Sequence, residues 1–343
     1  MYILPWKPPE GKRICYGGVA DDNHVFIPSS GWHEMIESGY EFNENNVITC
    51  DNEAVYLGCL YYVWGHAITD NFKKVWYLLE NSQKDRELVY ITVGNTPLPQ
   101  YVFELYDLIG IDLRQAVHIT KITKYRNIIV PENSLINRNE VRYYNHNFKK
   151  IIQKITDQVP IVKDSPRKIY FTRTKLKQNR DIGENSIERV FLENGFTIIS
   201  PEKLSIVEQL SLVRNCKVFA STEGSISHSS IFCKPRTEII LIKKTDYINP
   251  YTSFINDMLN LKCTFIRAHN SVLTPQETPW EGPFFLFKSK ELMSFFGKSF
   301  FRSYFMYFSW YEYRWGLLSK SKTLYYKIRT YIGLRITLKK WSQ

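Results

Sequence analysis

Between residues 168 and 242 the hydrophobic positions switch repeatedly between the period of a buried strand and that of a helix. KIYFT at 168–172 reads as a strand and runs into a basic loop carrying Arg173, Lys175, Lys177 and Arg180. Ile187, Val190 and Phe191 then recur at helical spacing, with Gly195 placed as a stop. Residues 196–199 are β-prone, and Ser205 with Glu208 makes a capping-box pattern ahead of Ile206, Leu210 and Val213. KVFA at 217–220 is a further strand, followed by Glu223-Gly224-Ser225 and a short helix at 227–232. EIILI at 238–242 has the unbroken apolar character of a strand buried on both faces. This order predicts a βαβαβ unit with parallel strands and right-handed crossovers. Ligands of such units sit at the carboxyl ends of the strands. The basic loop and the Glu-Gly-Ser turn should therefore share one edge of the sheet, with an anion, a phosphate ester, as the natural occupant.

The first 160 residues carry a weaker alternation of the same kind. Residues 54–60 read as a strand, and 70–79 as a helix with Phe72, Val75, Trp76 and Leu79 on its apolar face. A strand at 88–93, a helix at 101–109 ending at Gly110, short strands at 117–119 and 127–130, and a helix at 145–159 follow. The expectation is an α/β domain at 1–160, a linker at 160–166 and a second α/β domain at 167–270. Pro-rich loops at 271–283 lead to a helical tail at 284–343. In that tail Phe301, Tyr304, Phe305, Phe308 and Trp315 share one helical face, and Leu324, Ile328, Tyr331 and Leu338 hint at another.

Length and composition narrow the class. A chain of 343 residues suits two domains. Hydrophobic content of 44% and charged content of 23% are those of a globular protein, while aromatics at 15% are high. The six cysteines form no CxxC pair and read as reduced thiols. Neither a secretory signal nor a spanning segment is visible, so the expected location is cytoplasmic. The formal charge of +11 is uneven: residues 290–343 hold eleven Lys and Arg against Glu291 and Glu312, a net of +9. Such a tail is a candidate for anionic lipid or nucleic acid.

Three constellations can carry chemistry. Arg173 and Arg180 suit bidentate phosphate contacts, the alternative being a solvated basic loop. Gly224 permits close backbone approach, and Ser225 and His228 can donate to a phosphate. Glu223 can accept from a sugar hydroxyl; otherwise Ser225 or Ser227 is only a helix cap. His66 and Asp70, four residues apart between a strand and a helix, would share a face of a helical turn, and either can act as a general base. Asp70 as a plain cap is the alternative. GxGxxG, the P-loop, HExxH, GxSxG and Asp-x-Asp are all absent.

Taken together these pieces resemble glycosyltransferase family 61, including its bacterial capsular-polysaccharide members. The resemblance is carried by Thr172-Arg173, Asn179-Arg180, Glu184, Gly195-Phe196, Pro201-Glu202, Leu204-Ser205, Glu208-Gln209, residues 218–220, Glu223-Gly224-Ser225, His228, Phe232 and Pro235. Gly65-His66 and Asp70 look like the family's first-domain motif. The chain departs from eukaryotic relatives in having Glu223 where His is usual and Ser229 where Asn is frequent. The resemblance implies a GT-B-like architecture, two Rossmann-like domains facing a cleft. It also implies an inverting transferase that takes a nucleotide-sugar donor, works without a bound metal and needs no further cofactor. Arg173 and Arg180 would bind the diphosphate, and Gly224, Ser225 and His228 would line the donor pocket with Glu223. Asp70 is the first candidate base, Glu223 the second and His66 the third. The expected acceptor is a glycan, lipid-linked and assembled at the cytoplasmic face of a membrane, with the tail on the anionic surface. A non-catalytic sugar-binding protein on the same fold and a nucleic-acid-binding protein are the competing expectations.

Overall fold

The structure, a computed structural model, describes residues 1–9, 15–32, 36–81, 85–138, 141–176, 180–269, 278 and 282–298. The first unit is built on a mixed seven-stranded sheet. Its strands are β1 (Tyr2–Lys7), β2 (Cys15–Ala20), β3 (Ile36–Ser38), β4 (Ile48–Leu60), β5 (Arg86–Thr92), β6 (Val117–His118) and β7 (Thr123–Ile129), in the order β3-β2-β1-β7-β4-β5-β6. β7, β4, β5 and β6 run parallel, whereas β1 is antiparallel to β2 and β7. The strand expected at 54–60 is the carboxyl half of β4, whose leading ITCDNE segment is largely exposed and so carries no apolar signal. A hairpin of β8 (Leu135–Arg138) and β9 (Val141–Tyr144) follows.

Among the described residues four α-helices accompany this sheet: α1 (Trp64–Ala67), α2 (Trp76–Glu80), α3 (Gln100–Asp107) and α4 (His146–Asp157). In α4, Phe148, Ile151, Ile152 and Ile155 make the buried stripe, and the Asn145 side chain caps the start by accepting from the Phe148 N–H. The continuous helix expected at 70–79 is not formed. A tight 3-10 turn, Asp70–Phe72, comes first, and α2 begins only at Trp76. The apolar face is as read, with Phe72 and Val75 buried, but Lys73 and Lys74 are buried as well. Lys74 Nζ donates to the carbonyls of Ser29 (2.6 Å) and Pro131 (2.5 Å), and Lys73 faces Asp70. These tertiary bonds, rather than helical periodicity, set the backbone there.

The second unit comprises β10 (Lys168–Phe171), β11 (Asp181–Ile182), α5 (Glu184–Glu193), β12 (Thr197–Ile199), α6 (Ile206–Asn215), β13 (Val218–Thr222), β14 (Glu238–Lys243), α7 (Pro250–Leu259), β15 (Lys262–Arg267), β16 (Phe284–Phe285) and α8 (Lys290–Phe295). Its main sheet is wholly parallel, in the order β12-β10-β13-β14-β15. Both reciprocal bonds of the capping box are present at Ser205 and Glu208. Side chains alternate between two cores. Ile169, Phe171, Phe219, Ile239 and Leu241 face one side, and Tyr170, Ala220, Ile240 and Ile242 face the other with Ile187, Val190 and Phe191 of α5.

Two features of this architecture place the site. The chain leaves β10 for β12 on one side and crosses to β13 on the other, so β10 and β13 form a topological switch point whose carboxyl ends flank a crevice. In addition, one apolar cluster runs from Leu57, Ile68, Phe72 and Phe148 of the first unit to Phe219, Phe232 and Phe254 of the second, so the two units pack directly on one another. Residues 284–298, read as the start of a tail, pack on the second unit. β16 pairs with β11, and Leu286, Leu292 and Met293 are buried in the second unit's core. The aromatic and basic faces read at 301–343 lie outside the described residues.

Candidate active site

β4 lies between β5 and β7, so its carboxyl end is the corresponding switch point of the first sheet. α1 leaves from there and meets the 3-10 helix Ser225–Phe232, which leaves the carboxyl end of β13. Trp64 Nε1 donates to Ser229 Oγ at 2.9 Å. At Gly65 a Cβ atom would stand 2.5 Å from His228 Nδ1, so the approach of the two elements requires glycine. Gly224 begins the second helix at φ 125°, a conformation that side-chain-bearing residues rarely adopt.

His66 and Asp70 are brought together as a pair. His66 Nδ1 is 2.8 Å from Asp70 Oδ2. A carboxylate only accepts, so in the neutral imidazole the proton sits on Nδ1 and the lone pair on Nε2. Nε2 has no hydrogen-bonding partner among the described residues, and the side chain is 34% exposed. The ring is held by aromatic neighbours, with Trp32 at 5.1 Å, Tyr61 at 5.5 Å and Tyr251 at 6.1 Å between centroids. Asp70 is buried, with no exposed side-chain surface. It also accepts from the Tyr251 hydroxyl (2.9 Å) and the Thr69 hydroxyl (3.3 Å), and Lys73 Nζ is 3.8 Å from its other oxygen. Burial pushes the Lys73 amine below its ordinary range, and the Asp70 charge pulls it back.

Glu223 lies beneath this surface, fully buried. Its Oε1 accepts from the Asn249 N–H at 2.9 Å, which fixes the loop between β14 and α7, while Oε2 has no partner. Burial raises its carboxyl pKa, opposed by the Asn249 bond and by Lys243 and Lys244. Ser225 is half-buried at the turn. His228 is buried, with neither ring nitrogen hydrogen-bonded. Burial first, then the neighbouring His66, drives its pKa down to about 3. Neutral His228 binds no proton in the fold but takes one up in the unfolded chain below about pH 6.5. The unfolded state then holds more protons, so stability falls as pH drops from about 6.5 towards 3, by at most about 1.4 kcal/mol per pH unit. Unfolding titrations at pH 4 to 7 should show a shallower slope for His228→Gln than for the parent chain; equal slopes would contradict this account.

The basic loop has a buried acidic floor. Glu184 accepts from the Tyr170 hydroxyl (3.1 Å) and the Arg173 backbone N–H (3.2 Å), and Glu188 accepts from the hydroxyls of Thr172 and Thr174. Burial, reinforced by Asp181, pushes the Glu184 carboxyl up to about 8. Asp181 pairs with buried Lys244 at 3.2 Å and accepts from the Thr222 hydroxyl at 3.1 Å. The nearby carboxylates are thus engaged from below. The guanidinium groups of half-buried Arg173 and exposed Arg180 make no hydrogen bond or ion pair among the described residues. Lys177 lies outside those residues. No group of three or more His, Cys, Asp or Glu among the described residues is arranged to hold a metal.

Sequence reading missed Tyr251, Trp32 and Lys73. Asn249-Pro250 is a legible helix start, confirmed by the Asn249 side chain accepting from the Tyr251 N–H, but nothing local ties that helix to Asp70. Trp32 comes from a segment in which no element could be read.

The second unit is doubly wound, and its switch-point turn meets α1 at the carboxyl end of β4; α/β sheets of this kind take their ligands at strand carboxyl ends. The Glycosyltransferase 61 family model matches residues 64–240, just over half of the chain, and the chain belongs to that family. It is a glycosyltransferase. No curated protein matches the sequence. Among solved structures it is similar to the bacterial iron-containing dodecameric glycosyltransferase TibC from enterotoxigenic E. coli, at 11% identity and a TM-score of 0.29 over 62% of this chain and 67% of that one. A second TibC structure, an iron-containing heptosyltransferase in complex with ADP-D-beta-D-heptose, gives 10% identity and a TM-score of 0.29 over 79% of this chain and 77% of that one.

Proposed function

We propose that this chain is an inverting glycosyltransferase of GT-B-like organisation that moves a sugar from a nucleotide-sugar donor to a glycan acceptor in cell-surface polysaccharide assembly. The observation that supports this reading most is the His66–Asp70 pair held against the Gly224–His228 segment, one from each unit. The donor's diphosphate takes the switch point of the second unit, with Arg173 and Arg180 as its cationic partners and Ser225 at the turn. The acceptor hydroxyl approaches His66 from the first unit. His66 Nε2 removes the hydroxyl proton as the oxygen attacks the anomeric carbon, and Asp70 stabilises the resulting imidazolium. The bond to the nucleoside diphosphate breaks on the opposite face, and the arginines stabilise its charge.

This assignment reverses the order of candidate bases read from sequence. Asp70 is sealed from solvent and engaged by several donors, so it orients rather than abstracts. Glu223 is buried and holds Asn249. His66, ranked third, is the group that combines an orienting carboxylate with an accessible lone pair. A thermal-shift screen of nucleotide sugars, followed by assay of nucleoside diphosphate release, tests the reading. Stabilisation followed by acceptor-dependent release supports it. Binding without release points to a non-catalytic sugar-binding protein, and tight binding of nucleic acid alone removes the enzyme reading.

The acceptor is lipid-linked in this proposal, and residues 290–343 bring the enzyme to an anionic membrane. Each basic residue near such a surface contributes about 1 kcal/mol, so the net of +9 there suffices for reversible attachment. No helix among the described residues is long and apolar enough to cross a membrane. Deleting residues 320–343 should weaken sedimentation with anionic liposomes at low salt without lowering thermal stability. Equal sedimentation of both forms would remove the membrane from the proposal.

A further inference from the structure

Tyr251 stands in the first turn of α7, in the second unit, yet its hydroxyl donates to Asp70 Oδ2 in the first unit at 2.9 Å. The same oxygen accepts Nδ1–H of His66 at 2.8 Å. The Tyr251 ring lies edge-on to His66, with an interplanar angle of 88°, and tilted over His228 at 5.4 Å. The start of α7 is itself pinned: the Asn249 side chain accepts from the Tyr251 N–H at 2.9 Å, and the Asn249 N–H donates to Glu223 Oε1 at 2.9 Å. A bonded path therefore runs from Glu223, beside Gly224 and Ser225, through Asn249 and Tyr251 to Asp70 and His66.

We propose that Tyr251 is a positioning residue for the transfer, coupling the donor-side turn of the second unit to the alignment and basicity of His66 in the first. The proposal rests on His66 being the base. Three donors reach this one carboxylate oxygen, His66 and Tyr251 closely and the Thr69 hydroxyl at 3.3 Å, so the tyrosine hydroxyl withdraws negative charge that would otherwise face the imidazole. Removing it leaves Asp70 a stronger partner for the imidazolium that forms during transfer. It also removes the link that keeps Asp70 in register with the second unit. Among the described residues the titratable and charged groups around His66 are Asp70, Lys73 behind it, Tyr61 from the end of β4, and His228 and Tyr251 from the second unit.

Tyr251→Phe keeps the ring, its packing on His66 and His228, and the backbone bonds of α7. The experiment compares the parent chain, Tyr251→Phe and His66→Gln by the pH profile of transfer, the turnover at saturating donor and donor affinity. For Tyr251→Phe the acidic limb of the profile should move up by about half a pH unit or more. Turnover should fall about tenfold, the scale of one hydrogen bond to a charged group, with donor affinity unchanged. Acid unfolding would also move the limb, so the folded fraction of each chain is followed by circular dichroism at the same pH values, and a limb that moves only where the variant unfolds overturns the coupling. If His66→Gln is inactive while Tyr251→Phe keeps the parent limb and turnover, the coupling is overturned and the base assignment stands. A fully active His66→Gln overturns the base assignment, and the coupling with it.

Discussion

Transfer by a His66→Gln variant should fall by about two to four orders of magnitude, the range typical of a lost general base, while nucleotide-sugar affinity is retained. Glutamine keeps a polar side chain of similar reach and can still donate to Asp70, but it has no lone pair of comparable basicity. The change sits in a half-exposed side chain, so the fold should tolerate it. Asp70→Asn is a less clean test of the same pair. Asp70 compensates buried Lys73 at 3.8 Å and gathers donors from Tyr251, His66 and Thr69. Removing one partner of a buried pair costs about 3–5 kcal/mol when the other stays charged. That variant should lose stability as well as turnover, and a chain melting with the parent's midpoint would count against the buried pair. Full transfer by His66→Gln, assayed as nucleoside diphosphate release, would remove His66 from the reaction.

Arg173→Ala and Arg180→Ala should each weaken donor binding by roughly ten- to a hundredfold, the equivalent of about 1.5–3 kcal/mol for a hydrogen bond to a charged group. Neither guanidinium has an internal partner among the described residues, so truncation leaves no buried charge behind and thermal stability should hold. Arg173 should have the larger effect. It is half-buried at the carboxyl end of β10, its backbone is tied to Glu184, and its charge already depresses the Lys244 amine beyond the effect of burial. Arg180 is exposed and follows residues 177–179, which lie outside those described. Titration of the two variants with nucleoside diphosphate alone measures this. Unchanged affinity in both would leave the basic loop a solvated surface.

Much of the second unit could be read from its residues. The unbroken apolar EIILI became β14, buried on both faces between β13 and β15, and the Ser205–Glu208 capping box opened α6 as its spacing implied. These signals are local: a strand covered on both sides needs apolar residues throughout, and a cap needs its partner three residues away. The resemblance of motif spacing over the same stretch agrees with the family to which residues 64–240 belong. The first unit was less legible. Half of β4 is polar, and the helix expected at 70–79 broke where two lysines turn into the interior, Lys74 on the carbonyls of residues 29 and 131 and Lys73 against Asp70.

The sequence by itself determined the alternation of strands and helices, the parallel sheet that follows from it, and the presence of His66, Asp70, Arg173, Arg180 and the Glu223-Gly224-Ser225 turn at strand ends. Period, capping and crossover length are properties of neighbouring residues, so they survive in one dimension. Only the tertiary structure decided the strand order β12-β10-β13-β14-β15, which sets the basic loop and the turn on either side of one switch point. It also decided which member of the His66–Asp70 pair faces solvent. Four residues apart, either side chain could have been the exposed one. The outcome was fixed by Tyr251, 181 positions further along the chain, which closes over Asp70 and leaves the imidazole open. A contact between residues so far apart leaves no periodic trace, because it depends on how two sheets pack against each other.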